Sequence, residues 1–377
     1  MKDVSLQRKY DPALSEAIRQ KQHIVREAGL DIFVKPVPDD DRPGVLDRRF
    51  FAGIPLPVRI MGKALCPLVR FILSGGSAKS AASRMRRYFN KVRSLPLAEG
   101  VSVSRRTVKT GDAGVAIRIY RREGAVPNTP VFYYIHGGGF AAGCPDVVEE
   151  ICRQLAWRSG CAGVQVDYRL APEHPYPAAF DDCYGVLRWI AENAGDFGGD
   201  GGRICIAGDS AGGNLAAACA MRDRDEGRGA VKAQALLYPV VNPAGKEDEY
   251  FHFSLDQYNM LAGYKAAASF MITVMQSGTS GMIKVLGGDG PYVSPYFGAL
   301  EGLPPCLVLY GEFDYFRLES EAYARKLSAA GVPVRAVRYS GLSHAFAELI
   351  GVQPQAEDCM AEIASFLRSV FRMPQAS

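Results

Sequence analysis

The 377 residues are 48% hydrophobic and 22% charged, with a formal net charge of +4, an ordinary globular balance that excludes collagen-like, disordered and coiled-coil chains. Nine cysteines lie scattered with no Cys-x-x-Cys pair, so neither a zinc framework nor a disulfide scaffold is indicated, and buried thiols in a reducing compartment are expected. The charge is uneven: residues 1–100 carry 19 Lys and Arg against 10 Asp and Glu, and the remainder carries 25 against 30.

Met1 to Leu30 holds Lys2, Arg8, Lys9, Asp11 and Glu16 and lacks the continuous apolar core of a secretory signal. Ile54 to Leu73 is apolar, but Arg59, Lys63, Arg70 and three prolines interrupt it, which argues against a membrane span. The reading is a soluble, cytoplasmic protein. Lys79 to Lys91 is strongly basic; a solvated helix face is the expected role, with weak contact to an anionic membrane surface as the alternative and no nucleic-acid partner expected. Residues 1 to about 98 read as helical and Pro-rich, without paired strands.

From residue 101 the pattern changes. Val101–Thr110 and Ala116–Arg121, joined by Gly111-Asp112-Ala113-Gly114, predict an antiparallel hairpin. Apolar runs at Val131–Ile135, Gly163–Tyr168, Arg203–Gly208, Ala235–Tyr238, Cys306–Gly311 and Val334–Tyr339 read as buried strands. Helical stretches at Val147–Ser159, Phe180–Asn193, Asn214–Arg224 and Glu319–Ala330 separate them, the last with Gly331 placed for a left-handed cap. This alternation predicts an α/β fold, a mostly parallel sheet with helices on both faces. Residues 242–292 interrupt it with aromatic, helix-prone sequence. The expected organisation is therefore an N-terminal cap segment over 1–98, an inserted cap segment over 242–292, and a catalytic domain over 99–241 and 293–377. The two cap segments are expected to pack together over the carboxyl ends of the strands, where ligands bind in such sheets.

Gly208-Asp209-Ser210-Ala211-Gly212 matches G-x-S-x-G between a predicted strand and a predicted helix. That turn forces the serine into a strained backbone state, and the flanking glycines avoid the collisions a side chain would cause. A serine hydroxyl needs a base. Of the five histidines, His252 and His344 follow the serine; His344 comes directly after the last predicted strand and is the choice. Asp314, at the end of the preceding strand and 30 residues earlier, is the expected orienting acid, with Glu312 as its competitor. His136-Gly137-Gly138-Gly139-Phe140 follows the first strong strand, so its uncovered N–H groups, together with that of Ala211, can hold a developing oxyanion. No dinucleotide or phosphate-loop pattern accompanies these glycines. His136 is expected to anchor the loop.

At these residues, and at Tyr168-Arg169-Leu170-Ala171-Pro172-Glu173-His174-Pro175-Tyr176-Pro177, the chain resembles the hormone-sensitive-lipase family of α/β-hydrolases, over roughly residues 101–370. The resemblance implies an α/β-hydrolase fold with a helical cap. It implies Ser210 as nucleophile, His344 as base, Asp314 as orienting acid, and Gly137, Gly138 and Ala211 as oxyanion donors. No metal and no organic cofactor is implied. After Asp314 the family often reads D-P-L-R-D-E-G; here Tyr315-Phe316-Arg317 stands, and Tyr315 and Phe316 are expected to reshape the adjoining pocket wall. The expected activity is hydrolysis of small carboxylic esters, short- to medium-chain or otherwise apolar, contacting Phe140, Phe251, Phe253 and Tyr258. Amide or lactone hydrolysis with the same groups, and non-catalytic ligand binding on the same scaffold, stay open. Relatives in this family frequently form dimers, which leaves a homodimer open.

Overall fold

A computed structural model describes residues 8–74, 77–111, 113–286 and 290–373. The chain begins with α1 (Ala13–Lys21), the antiparallel pair β1 (His23–Glu27) and β2 (Leu30–Lys35), α2 (Arg48–Ala52), α3 (Leu56–Ser74) and α4 (Ala78–Phe89). The hairpin β3 (Val101–Thr110) and β4 (Ala113–Arg122) follows. The alternating body is β5 (Thr129–Ile135), α5 (Glu149–Ser159), β6 (Ala162–Asp167), α6 (Ala178–Asn193), β7 (Gly199–Asp209), α7 (Ala211–Asp225) and β8 (Val231–Leu237). After α8 (Lys265–Leu286) come β9 (Cys306–Gly311), α9 (Arg317–Ala329), β10 (Val334–Tyr339) and α10 (Pro354–Val370).

One ten-stranded sheet results, in the order β1-β2-β10-β9-β8-β7-β5-β6-β4-β3. Neighbours from β2 through β6 are parallel, while β4 pairs antiparallel with both β6 and β3. Every residue of β5 and β9 is buried, because helices cover both faces and leave no wet side on which polar residues would alternate. The end of α9 shows how locally such elements are specified. Gly331 adopts φ +77° and donates to Ser328 O, and Val332 N–H reaches back to Leu327 O, satisfying carbonyls the helix leaves free.

The N-terminal region departs from the expectation of unpaired helical sequence. β2 lies beside β10 and extends the sheet by two strands. Its partner is some 300 residues away, so no turn signal announces the pairing. Buried charge locks it there: Arg338 on β10 pairs with Glu27 on β1 at 2.6 Å and with Glu321 on α9 at 2.7 Å, and Lys35 pairs with Glu362 at 2.6 Å. Glu27 is half exposed, but losing Glu321 or Glu362 would cost several kcal/mol, because the buried Arg338 or Lys35 charge is then left uncompensated.

α3 and α8 pack against each other, joined by a small core of Leu46, Ile54, Ala267, Ala268 and Phe313. Gly62 permits the approach: a Cβ there would collide with the Ala266 carbonyl and with Phe270 Cβ. Among the described residues no helix is long and apolar enough to cross a membrane.

Candidate active site

Ser210 sits between the last residue of β7 and the first of α7, at φ 55° and ψ −120°. A non-glycine residue in that region is strained, and it persists only where the surroundings enforce it. They do so here through crowding. A Cβ on Gly208 would run into the Gly212 backbone, and one on Gly212 into the carbonyls of Ile135 and His136. Ser210 N–H donates to Leu237 O, and Val240 N–H donates to Ser210 O, which fixes the turn at both ends.

His344 lies in the loop after β10. Its Nε2 is 2.9 Å from Ser210 Oγ, and its Nδ1 is 2.8 Å from Asp314 Oδ2. A carboxylate only accepts, so Nδ1 carries the proton and Nε2 presents its lone pair to the serine hydroxyl. Asp314 is fully buried, and its second oxygen accepts from Phe316 N–H at 2.9 Å. The imidazole is gripped by rings, Tyr238 at 4.8 Å and Phe316 at 5.1 Å between centroids. Thus Phe316 packs on the histidine and Tyr315 on Phe253, and neither residue is part of the cleft wall beside Ser210. The competing groups stand elsewhere. His252 is an exposed partner of Glu247, and Glu312 accepts Gly341 N–H.

The glycine run requires a correction. Gly137, expected to point its N–H at the reacting carbonyl, donates it to Asp209 Oδ1 at 3.0 Å. The same oxygen accepts from Tyr134 O–H at 3.0 Å. Asp209 is wholly buried and burial pushes its carboxyl up to about 6, so it must collect donors, and the nearest amide is that of Gly137. Asp209 thereby fastens the loop to the serine turn. Its place inside the G-x-S-x-G motif, as a charged residue ending a buried strand, was the available signal. Gly138, at φ +124°, accepts from Ala141 and Ala142 in a tight turn. Among the described residues the amides of Gly138 and Gly139 donate to nothing, and Ala211 N–H, at the start of α7, has no preceding helical carbonyl. His136 donates from Nδ1 to Gly137 O at 2.8 Å and stacks on Tyr168 at 4.3 Å, while burial pushes it down to about 4 and keeps it neutral.

A cleft of about 540 Å³ opens beside Ser210. Its walls are the glycine loop, Met85 and Phe89 of α4, Val147 and Val148, Met275 of α8, and Glu348. Here too the expectation is corrected, because none of Phe140, Phe251, Phe253 and Tyr258 lines it. Phe140 lines an adjoining cavity with Phe180 and Leu215; Phe251 packs on Tyr296, and Phe253 on Tyr258 and Tyr315. Tyr258 is buried and donates to the carbonyls of Asp314 and Tyr315 at 3.0 and 3.1 Å, so it braces the acid loop. Aromatic content alone cannot tell a ring that meets a ligand from one that fills a core.

The basic segment has two faces. Lys79, Arg84, Arg87 and Tyr88 are exposed, whereas Met85 and Phe89 turn inward to the cleft. Arg86 ties α4 to the body, donating to Ala141 O and Ala171 O and pairing with Glu173 at 2.6 Å, whose carboxyl it draws down to about 2.

A family model described as an alpha/beta hydrolase fold matches residues 132–348. Esterase LipI of Mycobacterium tuberculosis is 37% identical over 229 residues, 61% of this chain and 69% of that protein. Carboxylesterase NlhH of the same organism is 33% identical over 66% of this chain and 76% of its own length. The solved structure of an esterase from Pyrobaculum calidifontis superposes with a TM-score of 0.66 at 33% identity, covering 81% of this chain and 98% of that one.

Proposed function

This chain belongs to the α/β-hydrolase-fold family and is a carboxylesterase of it, and from that premise we propose that it works through an acyl-enzyme formed on Ser210, in the manner of the hormone-sensitive-lipase group. The observation that carries this reading is the hydrogen-bonded series Ser210 Oγ to His344 Nε2, and His344 Nδ1 to Asp314, at 2.9 and 2.8 Å. As the serine oxygen attacks the ester carbonyl, His344 takes its proton, and buried Asp314 stabilises the imidazolium. The carbonyl oxygen, now negative, is held by the amides of Gly138 and Gly139 and that of Ala211, aided by the N-terminal end of α7. His344 returns the proton to the leaving alcohol, and water repeats the cycle to release the acid.

The cleft supports a preference for short to medium acyl or alcohol groups, since methionine and phenylalanine side chains from two cap helices close it. The same groups would also open a lactone or an activated amide. A reducing, cytoplasmic location fits the nine free thiols, all buried but Cys144.

Hydrolysis of a p-nitrophenyl ester series from acetate to palmitate, by the wild type and by Ser210→Ala, tests the proposal. The variant is expected to lose on the order of 10⁴-fold or more in kcat, and a fluorophosphonate should label the wild type at Ser210 alone. Equal turnover by both proteins would remove the mechanism.

A further inference from the structure

Apart from Asp209, which holds the glycine loop, the cleft carries a carboxyl group that the reaction above does not use. Glu348 stands four residues past His344, in the turn Phe346–Leu349, and is 8% exposed. Its backbone is pinned, with Ser94 Oγ donating to its carbonyl at 2.8 Å. Its side chain is not. The nearest opposite charge is Arg93, 3.8 Å away and beyond hydrogen-bond distance, and among the described residues neither carboxyl oxygen has a hydrogen-bond partner. A second polar atom in the same cleft is also unpartnered. His136 spends its Nδ1 hydrogen on Gly137 O, so its buried Nε2 is an acceptor with no donor.

Besides these two groups, Ser210, His344 and Asp209, the cleft side chains are mostly apolar: Met85, Phe89, Val147, Val148 and Met275. A purely hydrocarbon group seated there would strip water from Glu348 and give nothing in return. Resting on the esterase reading, we propose that Glu348 makes this cleft selective for esters whose acyl or alcohol part bears a hydroxyl group, which the Glu348 carboxyl engages by hydrogen bonding. Burial, with Asp209 adding to it, pushes that carboxyl up to about 8, so at neutral pH it is largely protonated and both donates and accepts. A neutral hydroxyl matches that pairing. An anionic substituent would instead face a second carboxyl group, Asp209, in the same cleft.

Two matched substrate pairs test this: p-nitrophenyl 3-hydroxybutyrate against p-nitrophenyl butyrate for the acyl side, and 2-hydroxyethyl butyrate against propyl butyrate for the alcohol side. The readout is the ratio of kcat/KM within each pair, for the wild type, Glu348→Gln and Glu348→Leu, with fluorophosphonate labelling of Ser210 reporting an intact site. In one of the two arms, Glu348→Leu should lower the hydroxyl preference by roughly three- to tenfold, and Glu348→Gln by less, since an amide still donates and accepts. A general loss of folding would lower both members of a pair and leave the ratio unmoved. Unchanged ratios in both arms, with labelling intact, overturn the inference. A wild type that hydrolyses none of the four esters overturns the esterase reading itself, and this inference with it.

Discussion

The sheet body and the cap that covers it are built on different terms. In the body, Ser210, Asp314 and His344 follow the C-terminal ends of β7, β9 and β10, ends that are buried in all three strands and whose mutual register is set by backbone ladders. The cap, drawn from α3, α4 and α8, touches the body through a small core, through Arg86, and through the hydroxyl of Tyr258. Its side chains wall the cleft without joining the series of hydrogen bonds at the serine. On the proposed mechanism, chemistry rests on the sheet body and fit on the attached cap, a division that lets the fit change without disturbing the proton path.

If that division is sound, body substitutions should cut kcat and cap substitutions should mainly move KM, stability or chain-length preference. After loss of Ser210 itself, the largest effect is expected from Asp209→Ala. It frees Gly137 and Tyr134 and slackens the glycine loop, lowering kcat by about 10²-fold and, with two buried donors left unpaired, lowering Tm as well; an unchanged kcat would show that the loop holds itself.

Gly62→Val should force α3 away from α8, costing about 2 kcal/mol by denaturant unfolding and raising KM for medium-chain esters, while fluorophosphonate labelling proceeds. Labelling lost along with the cap packing would merge the two regions into one.

Glu348 lies where they meet and gives a pH test. Burial and Asp209 raise its carboxyl to about 8 in the fold while Arg93 opposes them, and His344 shares the same cleft wall. Unfolded, it ionises near 4.5. The folded state binds the extra proton, so the contribution is fully present below pH 4.5 and fades as pH rises through 8. Glu348→Gln should accordingly be more stable than the wild type by up to about 5 kcal/mol above pH 8 and equal to it near pH 4. A pH-independent difference would assign the charge elsewhere.

The smallest effect is expected from Tyr258→Phe. Removing one hydroxyl that spans the two carbonyls of the acid loop should cost about 1 kcal/mol and lower kcat a few-fold, with KM constant. A KM effect alone would return Tyr258 to the substrate wall.

How far the sequence could be read follows from what its signals encode. The serine turn is legible because its requirement is steric and local: two glycines, a strand before and a helix after. The parallel strands are legible because burial on both faces leaves an apolar run, and the end of α9 because Gly331 stands where a left-handed cap is needed. His344 and Asp314 follow from chain order once the strands are placed. Four matters belong to the tertiary structure alone. β2 pairs with a strand some 300 residues distant. Gly137 gives its amide to Asp209, leaving its neighbours free. Met85 and Phe89 face the cleft while Lys79, Arg84 and Arg87 of the same helix are exposed and Arg86 ties it to the body. Phe251 and Tyr258 are core rather than cleft. Each depends on which distant groups compete for one donor or one patch of buried space, and that competition is resolved only when the chain has closed on itself.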